Sequence, residues 1–171
     1  MKIYGRPMTT WKIPESVLVV IYNEQLEVLL LERADAPGFW QSVTGSKDTP
    51  DEPWSVTACR EVWEETGVDV RDARVCLQDW QLENTYTIYP QWLHRYEPGV
   101  LYNTERVFGL RVPAGARVRL SPREHVAYQW LPWVEAADRC YSPSNAEAVL
   151  WLPRLARQAC LAPPPWHDGP S

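Results

Sequence analysis

The segment from Glu52 to Thr66 constrains the fold most, because its apolar residues recur with a helical period. The positions i, i+3, i+4 and i+7 are taken by Cys59, Val62, Trp63 and Thr66. This spacing predicts an amphipathic helix with one face against a core. Pro53 is tolerated only in the first turn of such a helix, and Gly67 suits its C-terminal end.

The opposite face of this helix carries three carboxylates, Glu61, Glu64 and Glu65. Residues three and four apart project from one side of a helix, so these groups lie close together and repel one another. A hard cation such as Mg²⁺ would relieve that repulsion, since it binds carboxylate oxygens together with waters and a substrate phosphate. Taken alone, however, three clustered glutamates are more typical of a solvated helix face than of a metal site.

Seven segments are β-branched or apolar enough to be strands. Three precede the helix: Ser16–Tyr22, Glu27–Arg33 and Phe39–Thr44. Four follow it: Arg74–Trp80, Thr85–Arg95, Arg106–Val112 and Ala127–Leu131. We expect a loop over Tyr96–Glu105 and a second helix over Ser144–Arg157, which Pro153 should kink or end. This order of elements predicts an α+β fold.

The length of 171 residues suits one domain, and 45% hydrophobic residues are enough to form a core. We predict a single domain over residues 1–161 and a flexible, proline-rich tail over 162–171. The net charge of −5 argues against a broad basic surface for a nucleic acid polymer. A bound divalent cation could still make the local field favourable for a polyphosphate.

The four cysteines show neither CxxC nor zinc-type spacing, so we expect free thiols in a reducing compartment. The N-terminus lacks the apolar stretch of a signal peptide. The apolar run Val17–Ile21 is too short to span a bilayer. These features predict a cytoplasmic protein that does not contact membranes.

The carboxylate helix and the loop before it resemble the Nudix hydrolase signature. That signature is Gly, five residues, Glu, seven residues, then Arg-Glu-hydrophobe-x-Glu-Glu-x-Gly-hydrophobe. Here Gly45 and Glu52 are followed, with the required spacing from Glu52, by the run Arg60–Val68. The resemblance implies the Nudix fold, an α/β/α sandwich with a mixed, mostly antiparallel sheet and the signature loop-helix-loop.

One spacing departs from the signature, because six residues rather than five separate Gly45 from Glu52. Either the loop contains a one-residue insertion, or Asp51 takes the position of the signature glutamate. We favour the insertion, since the spacing from Glu52 to Arg60 belongs to the rigid helix.

The resemblance also implies a role for each signature residue. Glu61 and Glu65 would bind Mg²⁺, with Mn²⁺ as a possible substitute, and Glu64 would be a third ligand or would orient water. Bound metal would neutralise pyrophosphate oxygens and activate a water for in-line attack. Glu52 and Arg60 would pair and brace the loop.

Three further residues complete the predicted site around the helix. Gly45 suits a special backbone conformation close to phosphate. Glu124, in the loop before the last strand, is our candidate for a general base or extra metal ligand from outside the signature. Its neighbour His125 is a weaker candidate, because a lone loop histidine is more often a surface residue.

Segments outside the signature resemble a bacterial branch of this family, the dihydroneopterin triphosphate pyrophosphatases. The segments concerned are 16–22, 39–46, 94–100, 103–105, 124–131 and 142–145. The resemblance implies conversion of 7,8-dihydroneopterin triphosphate to the monophosphate and pyrophosphate, a step of folate biosynthesis, with dATP also accepted. It implies substrate contacts from Lys12, Arg33, Thr44, Tyr86, Thr87, Ile88, Tyr89, His125 and Ser142.

Two alternatives remain open at this point. The chain could be a Nudix pyrophosphatase for (deoxy)nucleoside triphosphates that cleans the nucleotide pool, or an inactive binding module with a Nudix fold. If the chain is a pyrophosphatase, whether for a pterin or for nucleotides, its expected partner is a small triphosphate. We do not expect it to bind a nucleic acid polymer or a membrane. We expect a monomer or a weak homodimer.

Overall fold

The computed structural model describes residues 10–164, which form seven strands and four α-helices. The carboxylate helix is the first of these helices. The strands are β1 (Glu15–Tyr22), β2 (Glu27–Arg33), β3 (Trp40–Gln41), β4 (Val43–Ser46), β5 (Cys76–Thr87), β6 (Tyr102–Arg111) and β7 (His125–Pro132). The helices are α1 (Trp54–Thr66), α2 (Trp133–Arg139), α3 (Pro143–Leu150) and α4 (Leu152–Leu155). A 3₁₀ helix spans Pro90–Arg95.

The strands form one mixed sheet in the order β3-β2-β1-β6-β5, with β4 also paired to β1 and β7 to β2. Strands β1 and β6 run parallel, and every other pairing is antiparallel. The continuous apolar run of β1 explains its central place, since a strand covered on both faces needs no polar side. The prediction of a mixed, mostly antiparallel sheet is confirmed.

Alternate residues of β1 enter two separate cores, as the period of two in a strand requires. Val17 and Val19 pack with Val62 of α1 on one face of the sheet. Leu18 and Val20, on the other face, pack in the core that α2, α3 and α4 cover. Helices therefore cover both faces, which confirms the α/β/α sandwich.

Three predicted boundaries are wrong. The segments Arg74–Trp80 and Thr85–Arg95 do not form two strands, because β5 continues from one to the other through a bulge between Asp79 and Leu82. Strand β5 ends at Thr87, and the following segment is a 3₁₀ helix with Pro90 in its first turn, where the missing N–H costs nothing. Strand β6 begins inside the predicted loop. The second helix, in contrast, divides at Trp151 into α3 and α4 just before Pro153, in agreement with the expected kink.

The expectation of four free thiols is wrong for two of them, because Cys76 and Cys160 form a disulfide with a Cα–Cα distance of 5.2 Å. Cys59 and Cys140 are free. The C-terminal segment runs beside β5, where Gln78 Nε2 donates to the carbonyl oxygens of Ala156 at 3.1 Å and Gln158 at 2.6 Å. Sequence spacing does not reveal this pair, since its members lie 84 residues apart.

We expect reduction of this disulfide to lower the free energy of unfolding by about 2–4 kcal/mol, because the bond closes a long loop in the unfolded chain. Denaturant unfolding with and without dithiothreitol measures the difference. Cys160→Ser should be less stable than the parent and insensitive to dithiothreitol. Equal stability of the oxidised and reduced protein would contradict this expectation.

Within residues 10–164, no helix is both long and apolar enough to cross a lipid bilayer. Residues 165–171 of the predicted proline-rich tail lie outside the described residues, as do residues 1–9.

Candidate active site

A cleft of about 790 Å³ opens beside the buried end of the carboxylate helix. Its walls come from α1, β4, the end of β5, the start of β6 and the loops that precede β7 and α3. Most of the predicted site residues line it: Lys12, Arg33, Thr44, Gly45, Glu61, Glu65, Tyr86, Thr87, Ile88, Tyr89, Glu124, His125 and Ser142. The fold therefore brings together residues that are distant in the chain.

One end of the cleft contains Glu65, Glu124 and His125, whose potential ligand atoms all lie within 4.8 Å of one another. Glu65 is only 4% exposed, and its Oε2 has no hydrogen-bond partner among the described residues. Burial, together with the charges of Glu61 and Glu124, raises the pKa of Glu65 well above its usual range. A divalent cation fits this group, because it would satisfy the free oxygen and offset the repulsion.

Backbone contacts fix the position of Glu124 beside Glu65. The backbone N–H of Ala34 donates to the carbonyl oxygen of Glu124 at 2.9 Å, and Arg33 at the end of β2 pairs with His125 at the start of β7. The loop before β7 is therefore fixed next to α1. The general base or metal ligand that we predicted from outside the signature is within reach of the signature helix.

Glu61 lies beside this cluster and also lines the cleft. Burial raises the pKa of Glu61 to about 7, although the guanidinium of Arg60 opposes that shift. Arg60 Nη1 donates to Glu61 Oε1 at 2.9 Å. The helix thus contributes two carboxylates to the cleft, and one of them is already held in orientation by an arginine.

Arg60 connects the signature loop to the helix. Its Nη2 donates to Glu52 Oε1 at 2.8 Å and to the carbonyl oxygen of Ser46 at 3.0 Å, and its Nε lies 3.1 Å from Asp48 Oδ2. The pairing of Arg60 with Glu52 agrees with a one-residue insertion in the loop, whereas Asp51 is exposed. The sequence did not identify Asp48 as a partner of Arg60.

The structure does not bring Glu64 into the cleft. Its side chain is 44% exposed and lies 3.5 Å from Arg60 Nη1. A helix rotates by about 100° per residue. As a result Glu64 points toward the Arg60 side of α1, while Glu61 and Glu65, one turn apart, both face the cleft. Its predicted role as a ligand has no support from this position.

Gly45 occupies its position for a different reason from the one expected. Its backbone is not in the left-handed region, unlike that of Gly67, whose φ is 71° where α1 ends. A Cβ at Gly45 would instead overlap the carboxyl group of Glu61. The glycine is therefore required by close packing against a site carboxylate, and the expectation of a special conformation is wrong.

His125 is not a surface residue, contrary to expectation. It is buried at the start of β7, and its Nδ1 has no partner within residues 10–164. Its Nε2 lies 3.4 Å from Nε2 of Gln41, a residue that the sequence did not single out. Burial and the nearby positive charge of Arg33 lower the pKa of His125 to about 4, so the ring is neutral at neutral pH.

Two of the predicted substrate contacts, Arg33 and Lys12, are cations on the cleft wall. Arg33 forms two 2.8 Å hydrogen bonds with Asp35, and its guanidinium lies 4.7 Å from the ring centre of Trp92. Lys12 is exposed, with its Nζ 5.9 Å from the ring centre of Tyr96. Arg33 is thus held rigidly, whereas Lys12 remains open to solvent.

The far end of the cleft has a polar network that involves two predicted contacts. Tyr86 OH accepts a hydrogen bond from Asn103 Nδ2 at 3.1 Å, and Ser142 Oγ lies 3.0 Å from Ser144 Oγ. Ser144 Oγ in turn donates to Glu105 Oε1 at 3.1 Å. Sequence reasoning missed Glu105 and Asn103. The available signal was their spacing of two, which places both on one face of a strand.

The fold and the acidic cleft are those of a metal-dependent phosphohydrolase, and residues 12–152 match the NUDIX domain family. The chain belongs to the Nudix family of hydrolases. Members of this family generally require a divalent metal ion, in agreement with the acidic cluster of this cleft.

Two relatives from different bacteria share one description. The chain is 42% identical to the dihydroneopterin triphosphate diphosphatase of Escherichia coli K12, over 86% of this chain and 93% of that enzyme. It is 36% identical to the enzyme of that description from Haemophilus influenzae, over 83% of this chain and 89% of the relative. The structure of the E. coli dihydroneopterin triphosphate pyrophosphohydrolase superposes with a TM-score of 0.75, covering 81% of this chain and 94% of that one.

Proposed function

We propose that this chain hydrolyses 7,8-dihydroneopterin triphosphate to the monophosphate and pyrophosphate, with Mg²⁺ as the metal. The observation that carries the proposal is the 42% identity to an E. coli enzyme of that description over nearly its whole length. The cleft supports it, because an acidic metal-binding end and a far end lined by hydrogen-bonding side chains suit a triphosphate attached to a ring. We further propose a single domain over residues 1–161, acting in the cytoplasm as a monomer or weak homodimer.

In this proposal Glu65 and Glu124 hold the metal, with Glu61 beside them. When bound, the ion neutralises phosphate oxygens and lowers the pKa of a coordinated water. Arg33 and Lys12 donate to the phosphate oxygens that extend along the cleft wall. The water oxygen bonds to phosphorus as the bridge between the α-phosphate and the β-phosphate breaks, and pyrophosphate leaves. The proton of the water passes to the carboxylate cluster, in which Glu124 is open to solvent.

Metal removal tests the chemistry. We expect protein treated with EDTA to release no pyrophosphate from 7,8-dihydroneopterin triphosphate, and Mg²⁺ to restore the activity, with Mn²⁺ as a weaker substitute. A coupled assay for pyrophosphate measures this, and a malachite green assay for single phosphate release serves as the control. Full activity without metal would contradict the proposal.

The substrate is tested separately, because Nudix enzymes that prefer nucleotides would pass the metal test as well. We expect kcat/KM for 7,8-dihydroneopterin triphosphate to exceed that for dATP and dGTP by at least tenfold. A nucleotide preferred by a similar factor would make the chain a nucleoside triphosphate pyrophosphatase. Absence of pyrophosphate release from every triphosphate would indicate an inactive binding module.

A further inference from the structure

We propose that Glu105 selects the ring of the substrate, by accepting hydrogen bonds from two neighbouring N–H groups on the ring edge. A pterin carries such an edge, because its 2-amino group lies next to a ring N–H. The inference rests on the proposed function and adds a residue that determines specificity at the end of the cleft opposite the metal-binding cluster.

Glu105 is buried but faces the cleft. It is 4% exposed and is one of the side chains that line the cavity. Its Oε1 accepts a hydrogen bond from Ser144 Oγ at 3.1 Å. Among the residues that the structure describes, no lysine or arginine forms an ion pair with Glu105. A buried carboxylate without a counter-charge is costly unless donors satisfy its oxygens.

Near Glu105, a buried hydrogen-bond acceptor is left without a donor from the described part of the chain. Asn103, two residues earlier on the same face of β6, uses its Nδ2 to donate to Ser16 Oγ at 2.7 Å and to Tyr86 OH, and its Oδ1 has no partner within residues 10–164. Burial raises the pKa of Glu105 to about 7, against the hydrogen bonds from Ser144 and Asn84. At least one acceptor at this end of the cleft is therefore unpaired among the described residues, and a ligand rich in N–H groups would supply a donor to it.

The sheet sets the distance between Glu105 and the phosphate end. Glu105 lies opposite Ser16 on the neighbouring strand β1, and Ser16 lies opposite Ser46 on β4. Two strand spacings are about 10 Å. Ser46 follows Gly45, against which the Glu61 carboxylate packs. Glu105 thus lies about two strand spacings from the β4 segment beside the Glu61 carboxylate, which leaves room for the part of the substrate that joins the ring to the phosphates.

The hydrogen-bonding pattern of the ring edge explains selectivity against adenine nucleotides. Two N–H donors on the ring would favour the ionised form of Glu105, which only accepts hydrogen bonds. Two parallel bonds of this kind are strong because the acceptor is charged. Adenine presents an amino group beside an unprotonated ring nitrogen, so one carboxylate oxygen would face another acceptor. Buried groups left unpaired in this way are what allow a site to reject a close analogue.

The test is Glu105→Gln, which keeps the shape but replaces one acceptor with a donor. We expect kcat/KM for 7,8-dihydroneopterin triphosphate to fall by about 100-fold, as expected when a buried polar pairing is broken, while kcat/KM for dATP falls less than threefold or rises. The ring-only ligand dihydroneopterin should also bind more weakly to the variant. The matched control is Glu147→Gln, which changes an exposed carboxylate lining the same cleft and should leave the substrate ratio unchanged.

The inference would be overturned if a folded Glu105→Gln variant kept the ratio of kcat/KM for the two substrates within threefold of the wild-type ratio. Equal losses of kcat/KM for both substrates would overturn it as well. Neither result would affect the proposed function, which fails if the wild-type protein prefers a nucleotide, needs no metal or releases no pyrophosphate. Should the variant not fold, the wild-type affinities decide the question. Dihydroneopterin must then bind at least tenfold more tightly than deoxyadenosine, and a smaller preference overturns the inference.

Discussion

Replacing Glu65 by glutamine should reduce kcat for pyrophosphate release by about 1,000-fold, because a neutral amide is a poor ligand for a hard divalent cation. Glu65 is the most buried carboxylate of the metal-binding cluster, and one of its oxygens has no hydrogen-bond partner among the described residues. The variant should nevertheless fold at least as stably as the parent without metal, since the change removes repulsion from Glu61 and Glu124. Steady-state assays at saturating Mg²⁺ and thermal unfolding in EDTA measure the two effects.

A charge-matched control separates loss of a metal ligand from loss of a negative charge. Glu24, exposed in the turn between β1 and β2, is remote from the cleft lining, and Glu24→Gln should keep the parental kcat. A loss of less than tenfold in Glu65→Gln at saturating metal would rule out Glu65 as an essential ligand. An activity loss accompanied by a lower unfolding temperature would instead indicate a structural role.

Replacing Gly45 by alanine should lower both activity and stability, because the new Cβ would overlap the carboxyl group of Glu61. Overpacking of a close contact costs about 1–3 kcal/mol of unfolding free energy. Displacing a site carboxylate by about 1 Å can reduce the rate about 100-fold. We therefore expect kcat to fall by about that factor, measured together with denaturant unfolding.

A double-mutant cycle shows whether the contact with Glu61 causes the loss of stability in Gly45→Ala. In a Glu61→Ala background the overlapping carboxyl group is absent, so Gly45→Ala should then cost less than about 0.5 kcal/mol. An unchanged cost in that background would show that the backbone of Gly45, rather than its contact with Glu61, requires glycine.

Local periodicity predicted the elements that form the centre of the fold. The run Ser16–Tyr22 and the helical spacing up to Thr66 correspond to β1 and α1 within a few residues, because both patterns depend on side chains close in the chain. The prediction failed between Thr87 and Tyr102. There the end of β5 and the start of β6 depend on pairing with each other, which no local pattern expresses.

The carboxylate helix shows what the sequence by itself determined about this protein. Helical geometry was enough to put Glu61 and Glu65 on one side of α1, and the signature spacing was enough to pair Arg60 with Glu52. These relations hold in any fold that contains the helix, because they involve residues within one or two turns or in the adjoining loop.

Only the tertiary structure decided which groups meet that helix. Pairing of β2 with β7 brought Glu124 and the buried His125 to Glu65. The loop sequence made Glu124 a candidate, but it contained no sign that His125 is buried or of the strand pairing that brings both residues to the helix. Pairing of β1 with β6 placed Glu105 in the cleft in the same way. The physical reason is that contacts between distant residues follow from strand order and register. Strand order and register are determined by the burial of both faces of the whole sheet, and not by the sequence of any single segment.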